Sequence, residues 1–279
     1  MPNPHRLLTL VEREIRACRP LALRHFRSAR LRVERKADRS PVTAADRAIE
    51  ERLRRALARA CPGEFIVGEE FGAIGRVSDT YWTIDPIDGT RAFSRGLPSW
   101  AIMVGRVERG RAVLGVCDFP AIGVTIGVAA GVAAYERVGP HIRPLARPRT
   151  IRSLQDVVLF HGGAHWWAST PFARGFTALI RRCYLERAYG DCYGYLWALR
   201  GCADAVIDYG VKIWDMVPLA ALAHATGRVL VDCHGRPSFT GPDTVFASPS
   251  LARRIADVLN LKGKSQNAKG KTTIQKVKF

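Results

Sequence analysis

Lysine is scarce in most of this sequence, and acid is scarce throughout. Only Lys36 and Lys212 precede Lys262, and six of the eight lysines lie in the last 18 residues. Acidic residues number 25 against 43 basic ones, for a formal charge of +18 over 279 residues. The lysine-rich end carries six of those charges and no acid, which leaves +12 on the body, almost all of it arginine. Such an excess attracts anions. The arginines are scattered and no nucleic-acid-binding motif accompanies them, so a solvated surface is favoured over a specific nucleic-acid interface. There is no C-x-x-C, and the seven cysteines are odd in number. That favours reduced thiols and a cytoplasmic setting over a disulfide framework. Met1-Pro2-Asn3-Pro4-His5-Arg6 leads into no apolar run of signal-peptide type. An uncharged stretch, 121–135, spans only 15 residues, with Asp118 and Pro120 just before it. A spanning helix needs about 20 residues. Gly123, Gly127 and Gly131 suit two short strands in a hairpin there, so no membrane partner is expected. Internal repeats, a P-loop, H-E-x-x-H and a Ser-His-Asp order are all missing.

Apolar residues make up 47% of the chain, enough for one large domain or two interlocked ones. Apolar spacing predicts an amphipathic helix over 7–26, and 30–39 is a charged connector with a strand as the alternative. Thr43-x-x-Asp46 resembles a capping box and opens a helix to about Ala60, stopped by Pro62-Gly63. Strands are expected at 65–67, 81–84, 101–107, 112–117, 124–128 and 132–135, with a loop at 73–80. Residues 139–150, with three prolines, read as a connector between subdomains. Beyond it, strands (157–160, 184–187, 203–208, 229–231, 245–247) alternate with helices (170–182, 191–200, 213–226, 249–261), an α/β order.

The chain is organised around Trp82-Thr83-Ile84-Asp85-Pro86-Ile87-Asp88-Gly89-Thr90-Arg91. A short apolar strand ends in two carboxylates three residues apart. Pro86 forces a turn, so Asp85 and Asp88 can face one point from two sides. Gly89 tolerates unusual backbone angles, and Thr90 is a good N-cap for a following helix. Hard carboxylate oxygens suit Mg2+, and free N–H groups at a helix start suit a phosphate.

This stretch resembles the first signature of the inositol monophosphatase family of Mg2+-dependent phosphomonoesterases. Ser40-Pro41-Val42-Thr43-Ala44-Ala45-Asp46, Gly68-Glu69-Glu70 and Trp214-Asp215 match further pieces in the same order, from about Lys36 to about Leu261. The resemblance implies a layered α/β/α/β sugar-phosphatase-like fold in two interlocked subdomains. The first, 1–145, would bind metal and phosphate; the second, 146–261, would bind substrate; 262–279 would be a disordered basic tail. It implies two or three Mg2+ ions on Glu69, Asp85, Asp88, Asp215 and the carbonyl of Ile87. Thr90 and Asp46 would orient the attacking water, with Glu69 also in the catalytic set. Asp46 serves this role only if its side chain turns inward from the capping box. The N–H groups of Gly89 and Thr90 would hold phosphate, with Arg91 beside it. Asp191, Asp208 and Lys212 would face the alcohol part of the substrate. Direct attack by water, without a phosphoenzyme, and a homodimer are also implied. Within the family, 40–50, 85–100 and Gly190-Asp191-Cys192-Tyr193 look most like the histidinol-phosphate phosphatases of histidine biosynthesis; inositol 1-phosphate is the alternative substrate. Histidinol phosphate carries an ammonium and a partly protonated imidazole, which Asp191 and Asp208 would complement, while Lys212 partly cancels them. Two departures from the family stand out: Thr226-Gly227-Arg228 in place of Gly-Gly, and the glycine-rich 121–135.

Overall fold

The computed structural model describes residues 3–28, 33–35 and 41–261. Lys36 and Ser40, at the start of the matched segment, and the tail 262–279 lie outside the described residues. The expected single N-terminal helix is two: α1 (Pro4–Arg16) and α2 (Arg19–His25). Pro20 lies in the first turn of α2, where its missing N–H costs nothing; further inside one long helix it would remove a bond. β1 (Val33–Arg35) pairs antiparallel with β2 (Pro41–Thr43), and α3 (Ala44–Ala60) follows directly. Thr43 and Asp46 form the expected capping box.

Among the described residues, β3 (Phe65–Gly68), β4 (Gly72–Ile74), β5 (Tyr81–Asp88), β6 (Ala101–Glu108), β7 (Arg111–Phe119), β8 (Val124–Ala129), β9 (Val132–Val138) and β10 (His141–Pro144) build one sheet. Its order is β10-β9-β8-β7-β6-β5-β3-β4, antiparallel except for β3 beside β5. The short helix α4 (Thr90–Ser94) leaves the end of β5. The glycine-rich stretch does form the β8–β9 hairpin. Both outer strands depart from expectation. β4 starts just before the presumed loop and runs into it, and β10 occupies part of the presumed connector. Each pairs on one side only, and an edge strand tolerates Pro144.

Beyond the connector come β11 (Val158–His161), α5 (Ala164–Ala168), α6 (Ala173–Ile180), β12 (Leu185–Arg187), α7 (Asp191–Leu199), β13 (Ala205–Tyr209), α8 (Ile213–Thr226), β14 (Val229–Val231), β15 (Asp243–Ala247) and α9 (Pro249–Leu259). Their strands form a second sheet in the order β12-β11-β13-β15-β14. The helix expected from Thr170 begins only at Ala173, because the Thr170 hydroxyl closes a turn onto the Trp167 carbonyl at 2.9 Å. The preceding α5 has no counterpart in the sequence reading.

Strand alternation sorts the core into layers. Trp82, Ile84, Ile102 and Val104 face α1, α2 and α3. Met103, Cys117 and Ile126 face the opposite way, against α7 and α8, which are shared with Phe160, Val206 and Phe246 of the second sheet. Leu159, Ala205, Ile207 and Val245 pack outward on α6 and α9. The order is thus the expected α/β/α/β with one more helical layer outside. Gly115 lets α8 approach the first sheet, since a Cβ there would meet the Pro218 carbonyl oxygen at 2.3 Å. That approach carries the start of α8 toward the end of β5.

Candidate active site

At the end of β5 the pairing with β6 shifts register between Asp85 and Asp88. The strand expected to stop at Ile84 thus continues through Asp88, with a register shift in place of the expected turn at Pro86, whose missing N–H cannot join the ladder, and both carboxylates are buried there. The Ile87 N–H donates to Asp85 Oδ1 at 3.0 Å. Gly89 sits at φ +80, and a Cβ there would meet the Ser99 carbonyl oxygen at 2.7 Å. A side chain is therefore excluded by strain and by space. Gly89, not Thr90, is the N-cap of α4, and Thr90 is its first residue. The Thr90 hydroxyl donates to the Ile87 carbonyl at 2.9 Å. A carbonyl has two lone pairs, so that oxygen retains capacity for another partner.

The start of α8 supplies Asp215, whose Oδ2 accepts the Lys212 N–H at 2.8 Å. One carboxylate oxygen from each of Asp85, Asp88 and Asp215 lies within 4.8 Å of the others. Glu69, just after β3, lines the same cavity, and its N–H donates to the Ile84 carbonyl at 3.2 Å. Crowding has an electrostatic cost. Burial first, and then the charge of Glu69, hold Asp85 well above the usual carboxylate range. Burial and the charge of Asp191 do the same for Asp88. Asp215 is pushed up to about 7, chiefly by burial. Oxygen-only donors converging under mutual repulsion suit a hard divalent cation, which would relieve that repulsion.

These residues face a cavity of about 710 Å³. Gly89, Thr90 and Arg91 line it from the first sheet, while Asp191, Asp208 and Lys212 line it from the second half. Asp208 is buried at a strand end, accepts the Tyr209 N–H at 2.9 Å, and is lifted to about 7 by burial and then by the charge of Asp191. Asp191 is exposed at φ +54, a left-handed conformation that aspartate tolerates better than most residues. Gly190 takes the N-cap of α7, so Asp191 is not the cap. The N–H of the next residue, Cys192, donates to Asp88 Oδ2 at 2.5 Å, tying the two halves together at the site.

Asp46 stands apart from the other expected site residues. It is not among the residues that line the cavity and is fully buried, with Oδ2 accepting the Thr43 N–H at 2.8 Å and the Thr43 hydroxyl at 2.6 Å. Its Oδ1 is buried without a hydrogen-bond partner. Burial raises it to about 6 against the opposing Thr43 bonds, and the charge of Glu69 adds to the rise. The capping box is what the described structure contains, with one oxygen left over. Two residues were missed from the sequence. Trp166 lines the cavity, with the Arg91 guanidinium 5.0 Å from its ring centre. It lies on α5, and no pattern marked that helix. Glu50 stands one helical turn after Asp46, and that four-residue spacing was a usable signal.

The profile of the inositol monophosphatase family matches residues 5–263 of this chain.

The chain belongs to the inositol monophosphatase family.

Family membership makes it a phosphatase, as the sequence motifs indicated, and the family is Mg2+-dependent. A histidinol-phosphatase from Mycobacterium tuberculosis is 31% identical over 84% of this chain and 90% of its own. An inositol-1-monophosphatase from Mycolicibacterium smegmatis is 29% identical over 84% of this chain and 85% of its own. The solved inositol monophosphatase from Zymomonas mobilis superposes with a TM-score of 0.79 at 26% identity, covering 94% of this chain and all of that one. Among the described residues no helix is long and apolar enough to cross a membrane.

Proposed function

We propose that this inositol monophosphatase-family protein hydrolyses L-histidinol phosphate to histidinol and phosphate. In this reading Glu69, Asp85, Asp88, Asp215 and the Ile87 carbonyl hold two or three Mg2+ ions. Bound there, Mg2+ supplies Lewis-acid charge for phosphoryl transfer to water. The chain does the rest. The N–H groups of Gly89 and Thr90 hold the phosphate, and Arg91, steadied on Trp166, adds charge beside it. The Thr90 hydroxyl spends its proton on Ile87, so its lone pairs are available to orient the attacking water. Asp46 belongs to this proposal as proton acceptor for that water through its leftover Oδ1, a role that requires the side chain to turn from its capping box toward the cavity.

The observation that carries the substrate assignment is the pair Asp191 and Asp208 on the cavity wall. Among the described residues neither has a salt-bridge partner; the charge of Arg91 acts on Asp191, but Asp208 is left beside it, lifted to about 7 by burial and by the charge of Asp191. A substrate cation would relieve that repulsion, and histidinol phosphate carries an ammonium and an imidazole where inositol phosphate carries hydroxyls. The likeness to the mycobacterial histidinol-phosphatase supports the same choice. The division at 145/146, a homodimer and a cytoplasmic site of action belong to this proposal. In support of the division, the strands of the first sheet end at Pro144 and those of the second begin at Val158.

A phosphate-release assay tests the reading. Turnover of L-histidinol phosphate should require Mg2+ and vanish in chelator. Asp191→Asn should lose more kcat/KM on histidinol phosphate than on inositol 1-phosphate. Full turnover in chelator would end the proposal.

A further inference from the structure

Helix α3 carries a polar stripe, with Asp46, Glu50 and Arg54 at four-residue spacing on one face. Glu50 is fully buried and Arg54 nearly so. Glu50 Oε2 accepts the Glu70 N–H at 2.7 Å. Its Oε1 accepts the Phe71 N–H at 3.2 Å and Arg54 Nε at 2.7 Å. Arg54 Nη2 donates to the Gly72 carbonyl. Two side chains thus bind the backbone of three consecutive residues immediately after Glu69. Gly68, on the other side of Glu69, is part of the same arrangement. A Cβ there would lie 2.1 Å from Glu50 Oε1, so the carboxylate fills the space a side chain would take.

The segment beyond is tied to the sheet on one side only, where Gly72–Ile74 pairs with β3. Residues 71–79 are all exposed. Nor is the pair an obvious stabiliser: an apolar pair of similar volume in a core is often as stable as a buried ion pair. Arg54 Nη1 is moreover buried without a hydrogen-bond partner. Burying two charges to fix the backbone between Glu69 and this exposed edge strand makes sense if the position of that backbone matters.

We propose that Glu50 and Arg54 are positioning residues that hold Glu69 in place for Mg2+. The inference rests on the reading of Glu69 as a metal ligand. Partners that orient a ligand typically affect metal affinity by 10–100-fold. The test is calorimetric titration of the metal-free protein with Mg2+, beside thermal melts in chelator. In the double variant Glu50→Leu, Arg54→Met both charges go together. It should melt close to the parent while its Mg2+ Kd rises by about tenfold or more. At saturating Mg2+ its kcat should largely recover. Glu50→Gln should weaken Mg2+ in the same direction. A folded double variant with an unchanged Kd overturns the inference. If neither variant folds, the pair is a folding requirement and the inference is again overturned. If the parent itself binds no Mg2+, the metal reading of the site falls, and this inference with it.

Discussion

Stripped of metal, the protein should lose stability as pH rises from 5 to 8. Burial lifts Asp208 from its ordinary 3.8 to about 7, and Asp215 from 3.8 to about 7. Asp85 and Asp88 are driven in the same direction. A group whose folded pKa lies above its unfolded one holds extra protons only in the folded state. Its contribution is complete below the unfolded pKa and is lost as pH rises through the folded one. One pKa unit is worth about 1.4 kcal/mol, so Asp208 alone contributes on the order of 4 kcal/mol, of which roughly 3 are lost above pH 5. The carboxylates act on one another, so their contributions do not add. At roughly 3 °C per kcal/mol for a chain of this size, Tm in chelator should fall by about 10 °C. The net charge of +18 pushes the other way, because a rising pH relieves self-repulsion. A fall therefore isolates the buried carboxylates. Mg2+ competes with those protons, so its stabilising increment should grow with pH. Thermal melts across that pH range, with chelator and with Mg2+, read both effects. A flat or rising Tm in chelator, or an Mg2+ increment that does not change with pH, would refute the reasoning.

Asp85→Asn, Asp88→Asn, Glu69→Gln and Asp215→Asn should each lower kcat by orders of magnitude while circular dichroism stays native; near-normal turnover in Asp85→Asn would show the site to be misassigned. Gly89→Ala should lose both activity and about 1–3 kcal/mol of stability, because the added Cβ meets the Ser99 carbonyl and strains φ; a variant with the parent's Tm and kcat would contradict the geometry of that turn.

What could be read from the sequence was what is encoded locally. Asp85-Pro86-Ile87-Asp88-Gly89 announced a strand end, a turn and a special glycine; the left-handed Gly89 is there, but the strand expected to stop at Ile84 runs on through Asp88, and in place of a turn at Pro86 its pairing shifts register. Thr43 and Asp46 announced the start of α3, and Gly227 stops α8 as expected. What failed was set by distant partners. Gly72–Ile74 becomes a strand only because β3 lies beside it, and His141–Pro144 only because β9 does. The outer layer of α6 and α9 follows from which face of the second sheet each strand residue takes, and that depends on the whole sheet. Pro20 was a visible break that the apolar periodicity overrode. Trp166 entered the cavity on a helix too short to leave a periodic trace. Glu50 was legible by spacing alone, but its partners, the N–H groups of Glu70 and Phe71, lie twenty or so residues on and come near it only in the fold.

The most direct test compares kcat/KM for L-histidinol phosphate and inositol 1-phosphate in one assay at saturating Mg2+. The Asp191 and Asp208 wall predicts that histidinol phosphate is preferred by at least about tenfold, or ~1.4 kcal/mol of differential transition-state binding. Equal rates, or a preference for inositol 1-phosphate, would contradict it.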